Sequence, residues 1–79
     1  MNVNEFINYI RMVGFNSNGI VWIYKSFEIF IYPSNGAYEF FNPYKNSAKR
    51  FSINDIKPIN NNFKMETRGI KLKKLLEWL

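Results

Sequence analysis

Two glutamates come closest, among the residues of this sequence, to the spacing of a catalytic pair. Glu28 and Glu39 fall on neighbouring predicted strands in register-compatible positions, as acid–base chemistry by paired carboxylates would require. Paired exposed glutamates on a sheet are more often only solvated, with a small mutual repulsion. The sequence has no histidine and no cysteine, which removes the usual general base, activated nucleophile and zinc ligands. We therefore expect that the protein is not an enzyme.

The glycine-rich motifs that hold the phosphates of nucleotide cofactors are also missing. Neither a dinucleotide-binding GxGxxG pattern nor a phosphate-loop GxxxxGK[ST] pattern occurs in the sequence. We expect no cofactor, no bound metal and no small-molecule substrate. The sequence predicts a protein that works by binding a macromolecule.

The remaining feature that indicates a function is positive charge. It is concentrated in the second half of the chain. The net charge is +5, and residues 45–79 carry nine Lys and Arg against three Asp and Glu. Residues 1–44 carry two against three. Such asymmetry indicates an anionic partner. The candidate nucleic-acid or anion-binding residues are Lys45, Lys49, Arg50, Lys64, Arg68, Lys71, Lys73 and Lys74.

These cations fall into two groups. Those from Lys64 to Lys74 surround the predicted start of a last helix, where backbone N–H groups also favour phosphate. Lys45 follows Tyr44, and Lys49-Arg50 precede Phe51, so charge alternates with rings as in single-strand or groove contacts. The alternative is a solvated, lysine-rich surface without a partner.

The first element that must position these residues is an N-terminal helix over residues 3–13. Asn2 and Glu5 have the spacing of a capping box, and Gly14 suits the left-handed end of a helix. Apolar residues recur at helical spacing at Val3, Phe6, Ile7, Ile10 and Val13.

A β-sheet follows in the sequence. Residues 20–24 and 27–32 are β-branched and aromatic, and Lys25-Ser26 between them leaves open two strands or one long bent strand. The turn at residues 33–36, Pro-Ser-Asn-Gly, leads to a further strand over residues 37–41. We expect a three-stranded antiparallel meander.

The pattern is weaker after residue 44. A short further strand is predicted at residues 50–53, and Asn60 to Asn62 are predicted to be loop. Thr67 is a candidate cap for a final amphipathic helix whose apolar positions are Leu72, Leu75, Leu76 and Leu79. The chain is thus predicted to be one α+β domain over residues 1–79, in the order α-β-β-β-(β)-α.

Both faces of the predicted meander are apolar. One face can pack on the core, and the other must also be shielded from water. Three alternatives remain: the two terminal helices pack on opposite faces, a homodimer or another protein docks there, or the rings stack on single-stranded bases. Glu28 and Glu39 would repel phosphates in the last case. The candidate protein-interface residues are Trp22, Tyr24, Phe30, Tyr32 and Phe41.

The sequence therefore predicts a small binding protein that engages nucleic acid, or a nucleic-acid-binding protein, through its basic C-terminal half. The alternative is an inhibitor encoded by a phage or plasmid, which blocks a host or defence protein by occupying its surface. Twelve Asn and ten Ile are typical of a low-GC bacterium or its phage. Without a signal-peptide pattern or a membrane-spanning run, we expect a cytoplasmic location, in the host if the gene is a phage's.

Overall fold

A computed structural model of the protein describes residues 1–68 and shows an antiparallel sheet between helices. The chain begins with helix α1 (Val3–Val13) and continues, after the sheet, into helix α2 (Lys57–Asn62) and helical residues 64–68. The strands are β1 (Asn16–Ser17), β2 (Trp22–Tyr24), β3 (Phe27–Tyr32), β4 (Ala37–Asn42) and β5 (Ser47–Ser52). The predicted α+β class is confirmed. No helix within residues 1–68 is long and apolar enough to cross a membrane.

Helix α1 has the bounds and the cap that the sequence predicts. The Glu5 N–H donates to the Asn2 side chain at 2.8 Å, and the Asn2 N–H donates to the Glu5 carboxylate at 2.9 Å. Gly14, with a φ of 133°, ends the helix. The buried face of the helix consists of Phe6, Tyr9, Ile10 and Val13.

A two-residue turn at Lys25 and Ser26 joins β2 to β3. The two φ values, 49° and 71°, lie in the left-handed region that a type I′ hairpin turn requires, although neither residue type favours it. Tyr24 and Phe27 are directly opposite each other in the ladder. The segment is therefore a hairpin and not one bent strand.

Three strands differ clearly from the sequence prediction, whereas β4 is only one residue longer than predicted. β2 begins at Trp22, because the Asn18 side chain accepts the N–H groups of Ile20 and Val21 at 2.9 Å each and holds them in a loop. The predicted turn residues Asn16–Ser17 instead pair with β2 as β1. β5 covers Ser47–Ser52, longer than the strand predicted at residues 50–53.

The five strands are ordered in the sheet as they are in the chain, and their register separates two faces. The inner face carries Trp22, Tyr24, Phe27, Ile29, Tyr38, Phe40, Lys49 and Phe51, and the outer face carries Ile23, Glu28, Phe30, Tyr32, Glu39, Phe41, Ala48 and Arg50. The core lies between the inner face and both described helices, where Phe6, Ile29 and Ile59 are fully buried.

Trp22 and Tyr24 lie on the inner face, which corrects their predicted place beside Phe30. Both are half-buried and pack against the core. The two-residue turn is the reason, since it sets Tyr24 opposite the buried Phe27. A continuous strand would have put Tyr24 on the same side as Glu28.

The region after β5 is helical where the sequence predicts a loop. Asn60 to Asn62 complete α2, because Ile59 and Phe63, four residues apart, are both buried in the core. Thr67 is not a helix cap either: it is buried, and its hydroxyl donates to the Phe63 carbonyl at 2.9 Å. The apolar positions of the predicted final helix, Leu72 to Leu79, lie outside the described residues.

Candidate nucleic-acid interface

Two adjoining grooves open where the β4–β5 hairpin faces α2. The first has a volume of about 410 Å³ and runs from Lys45 and Lys49 to α2. The second, of about 430 Å³, lies between Tyr44 and Lys64. Asn61 and Asn62 line both grooves, so the two meet at α2. We call the combined feature the basic groove.

Local hydrogen bonds fix the hairpin side of the basic groove. The Asn42 side chain accepts the N–H groups of Tyr44 and Lys45, at 2.9 and 3.3 Å. This bonding is characteristic of an asparagine-led turn, which orders the loop that carries Lys45. Lys49 is opposite Phe40 in the β4–β5 ladder, and the register therefore turns it to the inner face, towards the groove.

Helix α2, which provides the opposite wall, ends in three consecutive asparagines with different surroundings. Asn60 accepts a hydrogen bond from the buried Tyr9 hydroxyl, which ties α2 to α1. Asn62 donates to the Pro58 carbonyl at 2.8 Å. Asn61 and Asn62 are exposed and line the basic groove. Amide groups that both donate and accept hydrogen bonds thus lie beside the lysines.

The charge of the basic groove is predominantly positive. Lys45, Lys49 and Lys64 are exposed on its walls, and no carboxylate of residues 1–68 lies within ion-pair distance of them. The acidic side chain that lines the groove in this range, Glu66, lies 3.9 Å from the Lys25 ammonium. None of the three remaining lysines is thus paired with a carboxylate of residues 1–68.

One aromatic ring stands in solvent at the rim of the basic groove. Tyr44 is 84% exposed, and its ring centroid lies 5.7 Å from that of Phe27. Phe27 in turn stacks on Phe40, with the centroids 5.5 Å apart and the rings 19° from parallel. The exposed ring is therefore supported from below by buried aromatic packing.

Of the eight predicted basic residues, the structure brings Lys45, Lys49 and Lys64 together in the basic groove. Arg50 is on the outer face, with its guanidinium 4.2 Å from the centre of the Tyr32 ring. Arg68 is exposed on helical residues 64–68. The predicted Lys71, Lys73 and Lys74 lie outside the described residues.

The sequence predicted the pairing of Tyr44 with Lys45 but not the two asparagines of the basic groove. Tyr44 had a signal, because it precedes Lys45 directly. Asn61 and Asn62 had none, since asparagine is abundant along the whole chain and the segment resembled a loop. Their position in the groove depends on helix α2, which the sequence did not predict.

The outer face is a separate surface on the side of the sheet opposite both described helices. Phe30, Tyr32 and Phe41 share it, with Phe30 39% exposed and its ring centroid 4.9 Å from that of Tyr32. Glu28 is opposite Phe41 and Glu39 is opposite Phe30, so the two carboxylates are diagonal neighbours on this face. The predicted interface residues Phe30, Tyr32 and Phe41 are thus together.

The basic groove and the outer face differ in the side chains that they present. No group of three or more His, Cys, Asp or Glu side chains within the described part of the chain is arranged to hold a metal ion. The basic groove combines cations, amides and a ring, and the outer face combines rings with carboxylates. No family model, curated protein or solved structure matches this chain.

Proposed function

We propose that this protein binds nucleic acid through the basic groove and acts by occupying the strand, without chemistry on it. The observation that supports this most is the convergence of Lys45, Lys49 and Lys64 on one concave surface. They come from the β4–β5 turn, from β5 and from the helical residues after α2. Lysines that neutralise phosphates release counterions, and this release drives binding that does not depend on sequence.

The number of lysines sets the expected strength of the salt effect. Three phosphate contacts give a slope of log affinity against log salt of about −2 to −3. Between 50 and 200 mM salt the affinity should thus fall at least roughly 20-fold. Lysines outside the described residues would steepen the slope further.

Binding of the full chain to labelled oligonucleotides across this salt range tests the proposal. Lys45→Ala with Lys49→Ala should weaken binding at low salt and reduce the magnitude of the slope by about 2. Arg11→Ala with Lys57→Ala removes the same charge from exposed positions that line neither groove, and it should change the slope less. Equal behaviour of the two double variants would show that the basic groove is not the binding surface.

A parallel triple variant, Lys71→Ala, Lys73→Ala and Lys74→Ala, addresses the predicted cations outside the described residues. Loss of binding in this variant alone, with the Lys45 and Lys49 variant unchanged, would place the nucleic-acid surface in the C-terminal segment instead. Loss in both would indicate one extended surface.

A second candidate is an inhibitor, encoded by a phage or plasmid, that blocks a host or defence protein through the outer face. The partly exposed rings of Phe30, Tyr32 and Phe41 favour it, since aromatic side chains dominate the centres of protein interfaces. Binding through such a face should be largely insensitive to salt, because apolar burial is not screened. Salt dependence therefore separates the two candidates.

A further inference from the structure

We infer that the basic groove takes single-stranded rather than duplex nucleic acid, with one base stacked on Tyr44 and base edges against Asn61 and Asn62. This inference depends on the proposed nucleic-acid function and specifies its ligand class. Three features of the groove support it: the exposed ring, the concave shape and the position of the amides.

The Tyr44 ring is placed to stack on an unpaired base. A ring that is 84% exposed gains little from the core, yet the backbone beneath it is fixed by the Asn42 side chain and its inner edge contacts Phe27. A supported ring that is open on its other side is the arrangement on which an unpaired base stacks. The bases of a duplex are stacked on each other and do not offer a face to Tyr44.

The concave shape of the surface suits a single strand better than a duplex. Proteins that read duplex DNA insert a protruding helix or two-stranded ribbon into a groove about 12 Å wide. Here α2 has six residues and lies back against the inner face, and the surface between it and the hairpin is concave. Volumes of about 410 and 430 Å³ suit individual nucleotides better than the side of a duplex.

The polar groups of the basic groove are arranged to contact both the phosphates and the base edges of a strand. Asn61 and Asn62 lie at the junction of the two grooves, with Lys45 and Lys49 along one groove and Lys64 along the other. If the phosphates of a strand bind these lysines, its bases lie towards the two asparagines and Tyr44. Asparagine can donate to and accept from base edges, which are free of pairing only in a single strand.

The test compares a labelled single strand of about 12 nucleotides with the duplex of the same sequence, as DNA and as RNA, at about 50 mM salt. The single strand should bind at least tenfold more tightly than the duplex. Tyr44→Ala should weaken single-strand binding by roughly 5- to 100-fold, which is the usual effect of losing one base–ring stack, and should leave the salt slope unchanged.

Two control variants separate a stacking role from a structural one. Tyr44→Phe keeps the ring and should retain affinity within about twofold to threefold. Phe30→Ala removes an exposed ring from the outer face and should leave single-strand binding unchanged. Circular dichroism should show the native spectrum for all three variants.

The outcomes distinguish this inference from the function on which it depends. Absence of binding to every oligonucleotide at 50 mM salt overturns the proposed function itself. Salt-sensitive binding with equal or greater affinity for the duplex overturns the single-strand inference and leaves the basic groove as a duplex-binding surface. No effect of Tyr44→Ala on single-strand affinity overturns the inference that a base stacks on Tyr44.

Discussion

The Tyr38 hydroxyl, near the start of β4, donates a hydrogen bond of 2.7 Å to the backbone carbonyl of Asp55, just before α2. The Tyr38 ring is fully buried and lies 4.7 Å from Phe6, centroid to centroid. One side chain thus joins the sheet, α1 and the segment that leads into α2. Asp55 lies two residues before α2, so this bond anchors the start of the helix that carries Asn61 and Asn62.

Tyr38→Phe should lower the free energy of unfolding by about 1 kcal/mol at neutral pH, because the Asp55 carbonyl loses its donor while the ring packing remains. Urea unfolding followed by tryptophan fluorescence would measure the change. Tyr44→Phe is the matched control, since it removes the hydroxyl of a ring that is 84% exposed, and it should change stability by less than about 0.5 kcal/mol. An equal effect of both variants would show that the bond to Asp55 contributes nothing.

Stability should decrease in alkaline solution because of two buried phenols. Burial raises the pKa of the Tyr9 hydroxyl, and burial together with the nearby Asp55 and Tyr9 raises the pKa of Tyr38. The folded state therefore retains protons that the unfolded chain releases above pH about 10. The contribution of these two groups to the free energy of unfolding is constant below pH 10. Above pH 10 it falls, by up to about 1.4 kcal/mol per pH unit for each tyrosine.

Urea midpoints measured from pH 8 to pH 11 would record this decrease. The double variant Tyr9→Phe with Tyr38→Phe should have a flatter alkaline limb than the wild type, even though its stability at pH 8 is lower. A wild-type limb as flat as that of the variant would contradict the assignment of the decrease to the two phenols.

Gly14→Ala should destabilise the protein by roughly 2–3 kcal/mol, because of its backbone conformation and its close neighbour. A Cβ at this position would lie 2.8 Å from Cε1 of Tyr24, at a φ of 133°. Gly19→Ala separates the two causes, since Gly19 has a φ of 99° but a Cβ there would meet no atom of the described residues within 4 Å. Thermal unfolding should show a clearly larger loss for Gly14→Ala, and equal losses would mean that the Tyr24 ring moves aside without cost.

Phe30→Ala and Phe40→Ala should differ because the two rings lie on opposite faces of the sheet. Phe40 is buried on the inner face, and its truncation should cost about 3–5 kcal/mol. Phe30 is 39% exposed on the outer face, and its truncation should cost about 1 kcal/mol.

If the outer face binds a protein, Phe30→Ala should abolish capture of that protein by a folded variant. Unfolding of Phe30→Ala would instead show that this ring belongs to the core.

The elements with strong local signals could be predicted from the sequence. Helix α1 follows from its apolar spacing and from Asn2, Glu5 and Gly14, and the turn before β4 follows from Pro33 to Gly36. The faces of β2 could not be predicted, because they depend on whether Lys25 and Ser26 form a turn. Lysine and serine carry no signal for positive φ, so tertiary packing decides that turn and reverses the faces of Trp22 and Tyr24.

The candidate site was predictable in charge but not in arrangement. The composition indicates basic residues from Lys45 onward, and three of them line the two adjoining parts of the basic groove. Their convergence depends on the register that sets Lys49 opposite Phe40 and on α2. The helix itself is short, and the burial of Ile59 and Phe63 stabilises it rather than the propensity of its three asparagines.

The strand order of the sheet has a consequence for how the protein folds. Each strand pairs only with its neighbours in the chain, so all four hairpins close short loops and need little chain entropy to form. The contacts between Tyr9 and Asn60, and between Phe15 and Phe63, instead join distant parts of the sequence and should form last. A folding intermediate with a complete meander would thus lack the α2 wall, and the ability to bind a ligand in the basic groove would appear only at the final step of folding.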